Sequence, residues 1–202
     1  MENLSRRPGD PHRSPTRARS MMASKPQRLT GIAELDDALD SLATATSRDH
    51  YHELLGDLKP LVVTHLSAVA ESFDNDDFPR FPVLWSLIGV TSPDAIALMS
   101  RGIADPDKYT RWAASEALAK CDTPESIDAL VNALGDRSSL VKGVAVAAMK
   151  RLRPLPALPQ LRKIATSRFQ QTHSPGTVSA ALTAIELIEN GGEPSDARES
   201  PS

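Results

Sequence analysis

At 202 residues the chain has room for one ordinary domain, or for a short repeat array with tails. Aromatic residues make up only 4% of it, which argues against the sandwiches and barrels that lean on aromatic and β-branched side chains. Cys121 is the single cysteine, so an intramolecular disulfide and a cysteine-cluster metal site are excluded. The net charge of −3 conceals a strong polarity: residues 1–28 sum to +5, 29–136 to −12, 137–168 to +8 without a single acid, and 169–202 to −4. Charge is therefore a local property of this chain, and different segments present different faces to partners. No apolar run approaches the ~18 residues of a membrane span, and no short apolar segment follows the early arginines as a signal peptide requires. The expected location is cytoplasmic, with no membrane association.

Residues 1–28 are rich in Pro, Ser and Arg and lack apolar periodicity, so they read as a disordered basic tail. The adjacent Met21 and Met22 leave open that translation starts there. Thr30 then stands as the N-cap of a first helix carrying Ile32, Leu35, Leu39 and Leu42 at helical spacing. A longer apolar pattern runs from Tyr51 through Leu54, Leu55, Leu58, Val62, Leu66 and Val69. Pro60 interrupts it, which predicts two helices, 48–58 and 60–72. An acidic turn at 73–78 leads into a helix over 78–89, with Phe81, Val83, Leu84, Trp85, Leu87 and Ile88.

From Thr91 to Leu152 the chain says the same thing twice, with a constant offset of 31 residues: Asp105 falls on Asp136, Arg111 on Lys142, Ala114 on Ala145, Ala117 on Ala148 and Leu118 on Met149. In the preceding helix Ile96 falls on Ile127, Met99 on Leu130 and Ile103 on Leu134. Self-similarity at such a period marks a stacked repeat array. Each unit holds two helices, near 93–103 and 108–121, then near 124–134 and 138–152. Stepping back one period reaches Asp74, Arg80 and Leu87, an earlier and more degenerate unit. Stepping forward, Leu155, Leu158, Leu161 and Ala165 keep the register, followed by a long turn (SRFQQTHSPG) and a closing helix at 178–190. The clearest repeats span 91–168, the array as a whole 29–190, and residues 191–202 read as a second disordered tail.

An aspartate in the turn between the two helices, with a basic residue six positions later, recurs as Asp74/Arg80, Asp105/Arg111 and Asp136/Lys142. In this the units resemble HEAT-like repeats, particularly the short variety named after bilin lyases. The resemblance covers roughly 61–190. It implies an all-α, right-handed α-solenoid of helical hairpins in which those residues form a polar ladder between neighbouring repeats. It also implies a concave face lined by the second helices, and a protein partner.

The residues that could carry chemistry are few. His50 and His52 are two positions apart and diverge on a helix, whereas helical metal pairs prefer spacings of three or four. His65 lies on an apolar face and reads as a core histidine, and Cys121 as a buried thiol. The 74–77 turn lacks the glycine and distant glutamate of a calcium loop. No nucleophile–base pair, phosphate loop or dinucleotide fingerprint is present, so no catalytic residue, metal or cofactor is expected. Two sets remain. Phe81, Trp85, Tyr109, Trp112 and Glu116 fall on second helices and are candidates for partner binding. Gly143, one period after Trp112, would make room for that ring if the aromatics instead fill gaps. Lys142, Lys150, Arg151, Arg153, Arg162 and Lys163 are candidates for a basic patch that meets an acidic partner or a phosphate backbone. The expected role is a non-enzymatic protein-binding scaffold or adaptor. The alternatives are a nucleic-acid binder using the 137–168 end, and a helper of bilin-type cofactor attachment.

Overall fold

The computed structural model describes residues 29–190, and the two tails inferred from the sequence, together with Met21 and Met22, lie outside them. Among the described residues there are α-helices, one 3₁₀ turn and no strand. The helices are α1 (Ala33–Ala43), α2 (Arg48–Thr64), α3 (Leu66–Ser72), α4 (Arg80–Ser86), α5 (Pro93–Gly102), α6 (Lys108–Leu118), α7 (Pro124–Ala133) and α8 (Ser139–Leu152). A 3₁₀ turn (Leu155–Ala157) then precedes α9 (Leu158–Thr166), α10 (Arg168–His173) and α11 (Pro175–Glu189). They pair as consecutive hairpins. The second helices α2, α4, α6, α8 and α11 pack one against the next in a layer, while α3, α5 and α7 form the other layer. This is an α-solenoid.

The 31-residue period is visible in the core itself. Met99, Leu130 and Leu161 occupy one buried string, and Leu87, Leu118 and Met149 a second, each side chain 0% exposed. Val83, Ala114 and Ala145 form a third, also at 0%. A single unit cannot bury these faces, so each hairpin is completed only by its neighbours. Small residues on α6 and α8 let the second helices approach closely. Between the two layers, packing is tight at Gly102 on α5, where a β-carbon would meet Leu84 Cδ1 at 2.6 Å and Ala114 Cβ at 3.0 Å. Helix starts follow local chemistry: Ser92, Asp107 and Thr123 accept backbone N–H groups at the N-caps of α5, α6 and α7, with Pro93 and Pro124 at first helical positions. The Cys121 thiol is buried, and desolvation pushes its pKa up.

Four local expectations are corrected. Pro60 does not end a helix: α2 runs through it and breaks only at His65 (φ −112°, ψ 31°). The proline forfeits one backbone hydrogen bond, but Leu55, Leu58 and Val62 bury a common face across it and hold the helix together. His65 is consequently a junction residue between α2 and α3, partly buried rather than fully enclosed in the core. Thr30 does not cap α1. Ile32 holds the N-cap position, and Asp36 reaches back to accept from Thr30 N and Oγ1 at 2.9 and 2.8 Å. The long turn after α9 is largely helical, because Ser167 caps the short α10 and Pro175 starts α11 three residues before the expected 178.

Replacing Gly102 with alanine drives a methyl into Leu84, which is fully buried and cannot swing away. The loss expected from overpacking is about 1–3 kcal/mol, partly offset by alanine's better helix propensity of about 1 kcal/mol. A thermal melt of Gly102→Ala at or above the wild-type midpoint would contradict that packing.

Candidate functional site

Two constructions stand out on the second-helix layer and its adjoining turns. The first is aromatic. Phe81 and Trp85 lie one turn apart on α4, and Trp112 stands one period from Phe81 on α6. Their rings form one cluster: Phe81–Trp85 centroids are 5.9 Å apart, Phe81–Trp112 6.5 Å and Trp85–Trp112 4.9 Å. All three pack against the core while remaining partly exposed. Tyr109 sits apart from this stack, 52% exposed, with Lys108 Nζ 4.8 Å from its ring centroid. Glu116, one turn after Trp112, is partly exposed and makes no ion pair among the described residues. One period beyond Trp112 the surface drops to Gly143, where an added methyl would meet nothing within 4 Å. Gly143 therefore does not make room for the Trp112 ring. With Ala147, which is exposed and one period from Glu116, it forms a low shelf beside the cluster.

The second construction is the polar ladder. Arg111 Nε and Nη2 donate to Asp136 Oδ2 and Oδ1 at 2.7 and 3.1 Å, and Nη1 donates to the carbonyls of Asp105 and Pro106. The Asp136 carboxylate also accepts from Ser138 N at 2.6 Å. Arg80 repeats the arrangement one unit earlier and more loosely, 3.6 Å from Asp105 Oδ2, while its guanidinium donates to the carbonyls of Phe73 and Asn75. Each rung thus joins a basic residue to the carboxylate of the next unit, 25 positions on. Burial would raise the Asp136 carboxyl, but hydrogen bonds from Arg111 and Ser138 and the guanidinium charge outweigh it and hold it below the usual range. The hydrogen bond to Asp136 likewise raises Arg111.

The two ends of the ladder differ. Asp74 pairs with Arg101 at 2.9 Å in a largely exposed position, not with a ladder cation. Lys142 occupies the position of Arg111, yet 25 residues on it meets Ser167 where a carboxylate would complete the rung. Lys142 makes no ion pair among the described residues.

The expected basic patch is dispersed. Arg151 pairs with Asp122 at 2.9 Å and donates to Ala119 O, and Arg162 pairs with Glu189. Arg153 is the α8 C-cap at φ 53°, with its Nε buried and unpartnered. Lys150 is exposed, and Lys142 and Lys163 share a cavity. The sequence reading missed a further set of links in which cations cap the open C-terminal carbonyls of neighbouring units: Arg101 to Ala70 O, Arg151 to Ala119 O and Lys59 to Ile88 O, at 2.7–2.8 Å. Arg101 has Ala70 and Asn132 one period away on either side, and Lys59 has Val90 one period on. Self-comparison therefore did not single out Arg101 or Lys59. Among the described residues there is no metal-holding cluster.

Stacked helical hairpins joined by an arginine–aspartate ladder define a helical-repeat protein. The family model described as HEAT repeats matches residues 63–150 and again 96–186. The chain belongs to the HEAT-repeat family. No curated protein matches it, and no helix of the described residues is long and apolar enough to cross a membrane.

Removing Arg111 strands the Asp136 charge and two carbonyls at a nearly closed interface, where the Arg111 and Asp136 side chains are 5% and 8% exposed. Arg111→Met should cost about 3–5 kcal/mol, read as a lower urea midpoint. The pKa of Asp136 is depressed by folding, so its stabilisation is present above the unfolded value near 4 and is lost as pH falls through the folded value. Asp136→Asn should therefore be weaker than wild type at pH 7, with the gap closing as the pH falls below the unfolded value near 4 and through the folded one. Equal slopes of stability against pH would remove the ladder from the acid transition.

Proposed function

We propose that the protein is a non-enzymatic scaffold or adaptor that binds a protein segment on its second-helix face, anchored at Phe81, Trp85 and Trp112. The observation that carries this reading is the partly exposed aromatic cluster ending at the open surface over Gly143 and Ala147. Aromatic residues that keep part of their surface in water while fixed by packing are the usual anchors of interfaces. An apolar side chain of the partner would rest on this open surface beside the tryptophans, with Tyr109 and Glu116 as further candidate contacts on the same helix as Trp112. The surrounding segment, residues 29–136, carries −12, which favours a partner with basic residues flanking its apolar anchor. The membership in a repeat family fits such a role, because repeat arrays present extended surfaces for other chains.

Both tryptophans of the chain lie in this cluster, so intrinsic fluorescence reports directly on the site. A partner captured from the native host should shift that emission. Trp112→Ala and Trp85→Ala should lower its affinity at least about tenfold, or about 1.4 kcal/mol, with a smaller fractional loss of stability. Losses of affinity and melting temperature that track each other across both variants would mean the rings are packing alone. Binding of DNA or RNA that weakens steeply with salt, and is lost on reversing Lys150, Arg151 and Arg153, would favour the nucleic-acid alternative.

A further inference from the structure

The ladder leaves a place unfilled. Lys142 stands in register with Arg80 and Arg111, each of which meets the carboxylate of the next unit. The matching position in the last unit is Ser167, and no described carboxylate lies within ion-pair distance of Lys142 or of Lys163. Between them is a cavity of about 140 Å³, with Lys142, Gln160, Lys163, Ile164, Ser167 and Gln170 in its lining. Gln170 is only 8% exposed, and its Oε1 is buried without a hydrogen-bond partner. Two cations thus line the space that a carboxylate occupies in the two preceding turns, with the unpartnered Gln170 oxygen buried just behind that lining.

We propose that this cavity is a carboxylate-binding site, filled by an aspartate or glutamate side chain supplied from outside the repeat array. The physical argument is the comparison with Asp136, whose carboxylate is held by a cation of the preceding unit and by a backbone N–H of its own turn. A ligand carboxylate takes the ammonium groups of Lys142 and Lys163 and the Ser167 hydroxyl as donors. A backbone N–H beside that carboxylate gives Gln170 Oε1 the donor it lacks once the side chain turns toward the cavity, which a bare anion does not. Two ammonium groups converging on one carboxylate strengthen the pairing relative to a single exposed lysine. This site lies at the turns within the repeat units, so it is independent of the aromatic face and stands or falls separately from it.

The test uses the full chain and N-acetyl-aspartate N-methylamide as probe, with the asparagine analogue and inorganic phosphate as controls. Resonances of Lys142, Lys163 and Gln170 should shift saturably with the aspartate compound and not with the asparagine one. Lys142→Met should weaken that binding at least about tenfold. Ser167→Asp restores a carboxylate to the ladder position and keeps a good N-cap residue for α10. It should raise the melting temperature by about 2–4 °C and abolish probe binding. Equal binding of aspartate and asparagine probes, phosphate binding without aspartate binding, or unchanged probe binding in Ser167→Asp would each overturn the assignment.

Discussion

The contact on which the array depends is the bond between Arg111 and Asp136. Both side chains are nearly sealed from water, and the guanidinium reaches the carboxylate of one unit and the turn carbonyls of another at once. Such a pair gives little net free energy over a well-packed apolar alternative, because desolvation consumes most of the attraction. Its value is geometric. Five donors in a fixed plane demand one spacing between neighbouring turns, so the rung sets the offset at which one hairpin meets the next. The apolar strings then close in register: Met99 above Leu130 above Leu161.

The ladder weakens from the centre outward. Arg80 holds Asp105 at a longer distance, Asp74 is taken by Arg101 at the surface, and Lys142 faces a serine. What replaces the rung differs at each end. At the amino-terminal side Arg101 donates to Ala70 O and lies 5.1 Å from the Phe73 ring centroid. At the carboxy-terminal side α11 packs against both α8 and α9, and Arg162 ties α9 to Glu189. An interior unit is specified by its two neighbours. An end unit has one neighbour and must find other partners, which explains why the repeat signature fades while the helices persist.

The division of labour between faces follows the same logic. Positions that touch the adjoining unit are constrained to repeat, whereas positions on the outer side of a second helix are free to diverge. Phe81, Trp112 and Gly143 are one and the same position in three successive units, yet they give a phenyl ring, an indole ring and an open shelf. The scaffold is shared between units, and the surface is not. That divergence is what lets a repeat array present a single distinct site along an otherwise regular stack.

The sequence alone determined the architecture, because burial between stacked hairpins imposes a constant period on the apolar positions and self-comparison reads that period directly. It also placed the central helices to within a few residues, since Pro93, Pro124 and the caps Ser92, Asp107 and Thr123 act locally. Tertiary structure decided where locality fails. Whether Pro60 breaks a helix depended on Leu55, Leu58 and Val62 sharing a buried face, a fact of packing. Which cations were free depended on acids and carbonyls distant in the chain, so Arg151 and Arg162 are engaged while Lys142 and Lys163 are not. The space beside Trp112 could not be inferred from a glycine in register, because a repeat fixes where a residue sits and not how far its neighbour's side chain extends. Periodicity is a property of the chain; the partners of a side chain are a property of the fold.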